Sequence, residues 1–310
     1  MDIESFKKYV EAGGYKVQVV SIDHIKEIKS EIENLKAENK DVNVNIGKYL
    51  NKFNYKISES LKDAKSIIVI AVPQPMARIY FTSGSKKHAV IMPPMYLFNS
   101  TVETEEKQMK IAGITSFINK ILYPDFKVKK VNLPCKLIAV KSGLAQYGRN
   151  NVCYINGKSS FYWIGTYISD MPCPHDSWQE GSVMDRCSNC SLCLNNCPAG
   201  AIADDRFLLH ANRCITLRNE SSKDFPEWLN PRWHNSIIGC MRCQIVCPAN
   251  RNSITAINDI AEFDEKETKM ILSKTPLNKL PEATFKKLQL INFIEDYGIL
   301  ARNLNVLINR

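Results

Sequence analysis

Eight of the eleven cysteines lie between Cys187 and Cys247. The first group, CSNCSLCLNNCPAG, places Cys187, Cys190 and Cys193 at C-x2-C-x2-C spacing ahead of Cys197-Pro198. Each iron of a [4Fe-4S] cube takes one thiolate. Three cysteines in tight series wrap one cube, and the cysteine before proline ligates its neighbour. A zinc ribbon would instead use separated C-x2-C knuckles. The second group, CMRCQIVCPAN, supplies only Cys240, Cys243 and Cys247-Pro248. Two cubes need eight thiolates, and the two groups hold seven. Cys214, in HANRCITL, closes the count. One cube then takes Cys187, Cys190, Cys193 and Cys247; the other takes Cys197, Cys214, Cys240 and Cys243. Counting alone leaves open a [3Fe-4S] cluster, or a water or another residue as eighth ligand. Cubes with crossed ligands lie close together and suit transfer of one electron at a time. Residues 187–250 therefore read as an electron relay.

The remaining cysteines, Cys135, Cys153 and Cys173, lack cluster spacing and read as small buried hydrophobes. The histidines His24, His88, His175, His210 and His234 are scattered without zinc spacing and read as structural. No G-x-G-x-x-G follows a strand, and there is no Walker loop.

At 310 residues the chain exceeds a bare cluster domain and has room for two modest domains. Its 45% hydrophobic and 24% charged content is that of an ordinary globular protein. No apolar run is long enough to span a bilayer. The start, MDIESFKKYVEAGG, lacks the apolar centre of a signal peptide, so a cytoplasmic location is expected, without a membrane partner. The formal charge is +9. Eight ligating thiolates and two cluster cores bring it to about +5. That permits an anionic partner without requiring one.

The elements that must position the relay follow from periodicity. Ser21–Lys36 carries Ile22, Ile25, Ile28, Ile32 and Leu35 at helical spacing, with Ser21 as N-cap. Ser66–Val72 (SIIVIAV) is a buried strand covered on both faces. Residues 103–123 place Ile111, Ile114, Phe117, Ile118 and Ile121 on one helical face, and Phe161–Ser169 is another strand. This alternation predicts an α/β (α+β) cofactor domain over 1–180. A ferredoxin-like double-cluster domain follows over 181–254, across the polar boundary PHDSWQEGSVMDR. Residues 255–310 read as a helical extension, with patterns at Glu265–Leu272 and Pro281–Asn309, that packs back on the rest.

Between the strands lies KSGLAQYGRNNVCYI, in which Gly143 and Gly148 permit tight turns and close backbone approach. GLAQYGRNN, YISDMPCP, CSNCSLCLNNCPAGAI, NRCIT and GCMRCQIVCPAN, in this order, resemble the epoxyqueuosine reductase family and the related cobalamin-dependent reductive dehalogenases. The resemblance covers about residues 135–255. It implies Cys214 as a cluster ligand and a nitroreductase-like cofactor domain. It also implies a base-off cobalamin near Gly143, Tyr147, Gly148 and Arg149.

The chain departs from that family at one chemical position. The family carries an acid, its proton donor, upstream of the glycine loop. The matching segment FKVKKVNLP places Lys129 or a near neighbour there, and no Asp or Glu occurs from Phe126 to Tyr154. Epoxide reduction needs a proton source, so this departure argues against a tRNA substrate. Tyr147 and Tyr96 are the replacement candidates. Three functions follow as expectations: a reductase passing electrons to cobalamin and then to a small molecule or modified nucleoside; an electron-transfer protein serving a corrinoid protein; and an epoxyqueuosine reductase proper. Each requires an electron donor such as a ferredoxin or flavodoxin.

Overall fold

The structure is a computed structural model that describes residues 1–38, 47, 49–97 and 105–310, with side chains from residue 112 onward in the last stretch. In chain order the strands are β1 (Lys16–Ser21), β2 (Ser66–Pro73), β3 (Met76–Ser83), β4 (Lys86–Met92), β5 (Val128–Val131), β6 (Ala145–Tyr147), β7 (Cys153–Ile155), β8 (Tyr162–Ser169) and β9 (Ile257–Phe263). The helices are α1 (Ile3–Ala12), α2 (Ile25–Glu38), α3 (Glu105–Leu122), α4 (Cys135–Lys141), α5 (Leu192–Asn195), α6 (Ile215–Asn219), α7 (Arg242–Ile245), α8 (Glu265–Leu272), α9 (Glu282–Leu290) and α10 (Tyr297–Asn309). The chain divides into two compact units. One is Met1–Pro73 with Ala112–Asn189; the other is Gln74–Ile111 with Cys190–Arg310.

The first unit is built on a sheet of order β1-β2-β8-β5 whose neighbours are all antiparallel. β2 lies inside it, and Ile67 to Ala71 are fully buried. Ile67, Val69 and Ala71 share a core with Ile28 of α2 and Ile138 of α4. The continuous apolar run thus reflects an interior strand covered on both faces, as expected. Antiparallel pairing makes this half α+β in character. Ser21 caps a 3-10 turn, Ile22–His24, whose Asp23 N–H it accepts at 3.2 Å, and α2 starts one residue later. α3 buries Ile114, Ile118 and Leu122. Of the expected helix, residues 103 and 104 and the Ile111 side chain lie outside the described residues.

The segment expected to be a boundary packs onto this unit. Trp178 donates its indole N–H to Glu27 at 2.9 Å, and its ring stacks on His24 at 4.1 Å. The buried Lys141 reaches Glu27 at 2.7 Å and Glu31 at 3.1 Å. The Lys141 ammonium is the leading cause of the lowered Glu27 pKa, ahead of the Trp178 donor.

The second unit holds a sheet of order β4-β3-β9, in which β3 and β9 run parallel. β3 and β4 form a hairpin closed by Gly84 and Ser85, both at positive φ (55° and 63°). That is the twist-compatible two-residue connection. β9 falls where the sequence predicts a helical extension, so residues 257–263 are a correction. Their mixed polarity, INDIAEF, goes with a half-exposed sheet edge. The pairing also explains why residues 74–111 join the C-terminal part rather than the first unit. Phe81 and Phe263 stack at 4.9 Å in a core shared with Leu288, Phe293, Leu300 and Leu304. α8 has the predicted bounds and a capping box from Asp264 and Glu267. The second predicted helix is two, α9 and α10, separated by Asn292 at φ 62°.

Candidate iron–sulfur centre and the 143–151 loop

Each cysteine motif folds into one helical turn followed by Cys-Pro. In the first, α5 carries Cys193, and the Cys197 N–H bonds the Leu194 carbonyl at 3.2 Å. In the second, α7 carries Cys243, and the Cys247 N–H bonds the Gln244 carbonyl at 3.3 Å. Proline after the last cysteine of each motif brings no N–H to continue the turn. The Cys197 thiol accepts the Ala201 N–H at 3.3 Å. Cys214 caps α6 from an extended conformation, φ −66° and ψ 127°, which aims it out of the helix that follows.

Cys214, Cys197 and Cys240 lie within electrostatic reach of one another. Burial pushes the Cys214 thiol up, and Cys197 adds to it. Burial pushes Cys240 up to about 11, with Cys214 and Cys197 adding to it. So shifted, the Cys214 and Cys240 thiols keep their protons at neutral pH. A cationic cluster core supplies the charge that thiolates require. The donor set, all sulfur with no histidine, suits iron–sulfur chemistry. Among the described residues no three His, Cys, Asp or Glu side chains converge on a single ion. Ligands of a cube stand on separate corners, so they need not converge in that way.

The unit division falls between Asn189 and Cys190. Cys187 belongs to the first unit, and Cys190, Cys193 and Cys247 belong to the second. Cys187 ends the 3-10 turn Asp185–Cys187, and its carbonyl accepts the Arg149 guanidinium at 2.9 Å. Arg149 thereby fastens the glycine loop to the first cysteine of the relay.

The loop is a hairpin of β6 and β7, with Tyr147 opposite Cys153. Gly143, at φ 79°, ends α4, where its N–H bonds the Val140 carbonyl at 3.0 Å. A side chain at Gly148 would meet the Asn150 carbonyl oxygen at 2.5 Å and the Tyr154 ring at 2.6 Å. Asn150 is buried and donates to the Tyr154 hydroxyl at 3.0 Å. The Tyr147 backbone bonds Ser182 at 2.9 Å and Met184 at 2.8 Å. Burial is the main cause of the rise in the Tyr147 phenol pKa, with Cys153, Glu31 and Cys135 adding to it. Gly143 faces the Gln179 amide, whose nitrogen a Cβ would meet at 3.3 Å. All four residues assigned to a cofactor are thus engaged by the chain itself.

Tyr96 belongs to the other unit and donates its hydroxyl to Glu220. Lys129 bonds Ser58 at 2.6 Å and Ser60 at 3.0 Å. Cys153 is a core residue, whereas Cys135 and Cys173 are half-buried. His24 is held by Asp176 at 2.6 Å, and His234 is buried against the Phe225 ring. The sequence reading missed Asn219, Arg302 and Asn303, which bind the backbone around the second motif.

Comparison with known proteins matches residues 186–250 to the 4Fe-4S double cluster binding domain. The epoxyqueuosine reductase of Escherichia coli (strain K12) is 36% identical over 117 residues, 37% of this chain and 30% of that protein. That of Bacillus anthracis is 25% identical over 247 residues, 78% of this chain and 60% of that protein. The solved epoxyqueuosine reductase of Streptococcus thermophilus superposes with a TM-score of 0.63 at 20% identity, over 99% of this chain and 81% of that one. Over these stretches the chain is similar to epoxyqueuosine reductases. Its alignments span between about a third and three fifths of those two curated relatives, 30% and 60% of their length. The structural likeness establishes a shared mixed α and β fold, and the matched domain establishes a site for two [4Fe-4S] clusters. Another solved relative, with a TM-score of 0.60 at 19% identity, is an epoxyqueuosine reductase holding an epoxyqueuosine-modified tRNA stem loop. Among the described residues no helix is long and apolar enough to cross a membrane.

Proposed function

We propose that the chain is an iron–sulfur reductase of epoxyqueuosine reductase type, acting on a modified nucleoside, with epoxyqueuosine in tRNA as the first substrate to test. The observation that carries this reading is the match of residues 186–250 to the 4Fe-4S double cluster binding domain, with Cys214 and Cys197 near enough to Cys240 to raise its pKa. It supports a second cube ligated by Cys197, Cys214, Cys240 and Cys243, and a first ligated by Cys187, Cys190, Cys193 and Cys247. Two such cubes supply transfer of single electrons from an external carrier such as a ferredoxin or flavodoxin. The chain's own residues hold the cube ligands at the ends of one-turn helices. Arg149 ties the hairpin loop to Cys187.

Two observations favour a second reading, an electron-transfer protein that performs no substrate chemistry. The resemblance sets Lys129 or a near neighbour where the family has an acid, and Lys129 is held by two serines. Burial makes the phenol of Tyr147, a candidate donor, a weaker acid than a free tyrosine. The resemblance also implies a corrinoid acceptor in a nitroreductase-like domain, and titration separates these readings. The protein is reconstituted anaerobically with iron and sulfide, titrated with cobalamin, and assayed on an epoxyqueuosine-modified stem loop. The proposal expects about eight irons per chain and conversion of the modified nucleoside. Full iron with neither conversion nor a shifted corrinoid spectrum leaves the electron-transfer reading. Cys214→Ala is expected to retain about four irons; unchanged iron would overturn the ligand set.

A further inference from the structure

Cys214 lies far along the chain from Cys240. No helical turn sets their separation, as one does for Cys240 and Cys243. Tertiary contacts must set it, and the structure shows which. α6 runs from its cap at Cys214 to Asn219, and Ile237–Gly239 leads directly into Cys240. Asn303 of α10 is fully buried between these two segments. Its amide nitrogen donates to the Asn219 carbonyl at 3.0 Å and to the Ile237 carbonyl at 2.7 Å. Asn219, also fully buried, donates its own amide to the Gly239 carbonyl at 2.8 Å. Two side-chain amides therefore tie the segment after Cys214 to the segment before Cys240.

Arg302 fixes which way the Asn303 amide points. Its guanidinium bonds the Asn303 carbonyl oxygen from Nε at 3.1 Å and from Nη2 at 2.9 Å. With its oxygen so engaged, the amide turns both N–H groups to the two carbonyls. Arg302 also reaches the Arg218 carbonyl at 3.1 Å and lies over the Phe225 ring at 4.0 Å. A second tie crosses the same gap. Gly239 sits at φ 65°, and a Cβ there would meet the Tyr96 hydroxyl at 2.5 Å. Tyr96 in turn donates to Glu220, the residue after Asn219.

We propose that Asn303, oriented by Arg302, is the positioning residue that holds Cys214 at ligating distance from the cube bound by Cys240. The inference rests on the ligand reading above. It makes α10 part of the cluster site, although the helix contains no cysteine. Its role differs from plain packing, because the two carbonyls need donors and an apolar residue of equal size has none.

The test uses the full chain, reconstituted anaerobically, with Asn303→Asp and Asn303→Leu. Both fill the space and remove the donors. The expected result is a second cube that loses its Cys214-bound iron on brief oxidation. A [3Fe-4S] paramagnetic signal should appear, with about one iron lost per chain and the first cube's signal unchanged. Asn303→His, which keeps one donor, should restore part of the original spectrum. Variants with full iron and the original spectrum after the same exposure would overturn the proposal. If neither Asn303 variant folds, Arg302→Met decides: it keeps the stem over Phe225 and frees the amide to turn. The same three-iron signal, in a smaller fraction of chains, is expected there, and its absence overturns the proposal. Cys214→Ala separates the two failures. Full iron in that variant removes the ligand reading itself. Loss of one cube there, with Asn303 variants unaffected, removes only the role of Asn303.

Discussion

His234 shows how far the interior around the second motif excludes charge. It is 1% exposed, and its Nδ1 has no hydrogen-bond partner. Burial is the main cause that brings its pKa down to about 4, and Arg302, Arg310 and Arg242 push the same way. Phe225 covers one face, and Arg310 donates to the His234 carbonyl. The folded pKa lies below the ordinary 6.5, so between these values the unfolded chain binds the extra proton. Stability is then complete above that ordinary value and is lost as pH falls toward the folded pKa, by up to about 3 kcal/mol. The check is the unfolding free energy of the native protein against His234→Gln between these limits. Their difference should change with pH, and a constant difference would contradict the neutral buried imidazole. At this scale the sequence was a good guide to cysteine chemistry and a poor one to polar partners. Spacing exposes CxxCxxC because one turn of chain binds one cube. Nothing local marks Asn219 or Lys141, whose partners lie far off along the chain. Asn303 did leave a trace. It is the polar member of the stripe Leu300, Asn303, Leu304 and Leu307 on α10, all but Leu307 fully buried. A buried polar residue in a core register needs partners.

Among the elements, the hairpin carrying Gly148 should be the least tolerant of added bulk. A methyl at Gly148 meets both Asn150 and Tyr154 within 2.6 Å. Gly148→Ala should cost about 1–3 kcal/mol by overpacking. Gly113 is the control: it lies in α3, and nothing stands within 4 Å of its Cβ position. Gly113→Ala should stabilise by about 0.5–1 kcal/mol through helix propensity. Denaturant unfolding of both variants measures the contrast, and equal effects would mean that the turn relaxes freely. Strong periodicity made β2, β8, α2 and α8 legible, because each presents a continuous or one-sided apolar pattern. β9 was not legible. INDIAEF is short and mixed in polarity, and its strand character comes from pairing with Met76–Phe81, far away in the chain. The β3–β4 turn, SGSK, carries a local signal in Gly84 and Ser85, both at positive φ. The polar stretch 174–186 read as a boundary because its ordering comes from Glu27, His24 and Lys141, which no window around it contains.

For the molecule as a whole, the question is whether its substrate carries phosphates. The chain bears a formal +9, reduced to about +5 when eight thiolates hold two cubes. That excess is modest, and no Asp or Glu occurs from Phe126 to Tyr154, so fold likeness alone does not carry the substrate across. Salt dependence separates the alternatives, because each phosphate contact releases counterions and a free nucleoside has no backbone to contact. If the substrate is a tRNA stem loop, three or four phosphate contacts should weaken binding on the order of 10–100-fold between about 50 and 200 mM salt. Modified and unmodified stem loops should lose affinity in parallel, since the backbone term carries no information about the base. Binding that is insensitive to salt, or reduction of the free nucleoside as fast as of the stem loop, would place the substrate among small molecules. The measurement belongs on the reconstituted protein, because the apo chain carries the larger positive charge and would exaggerate the slope.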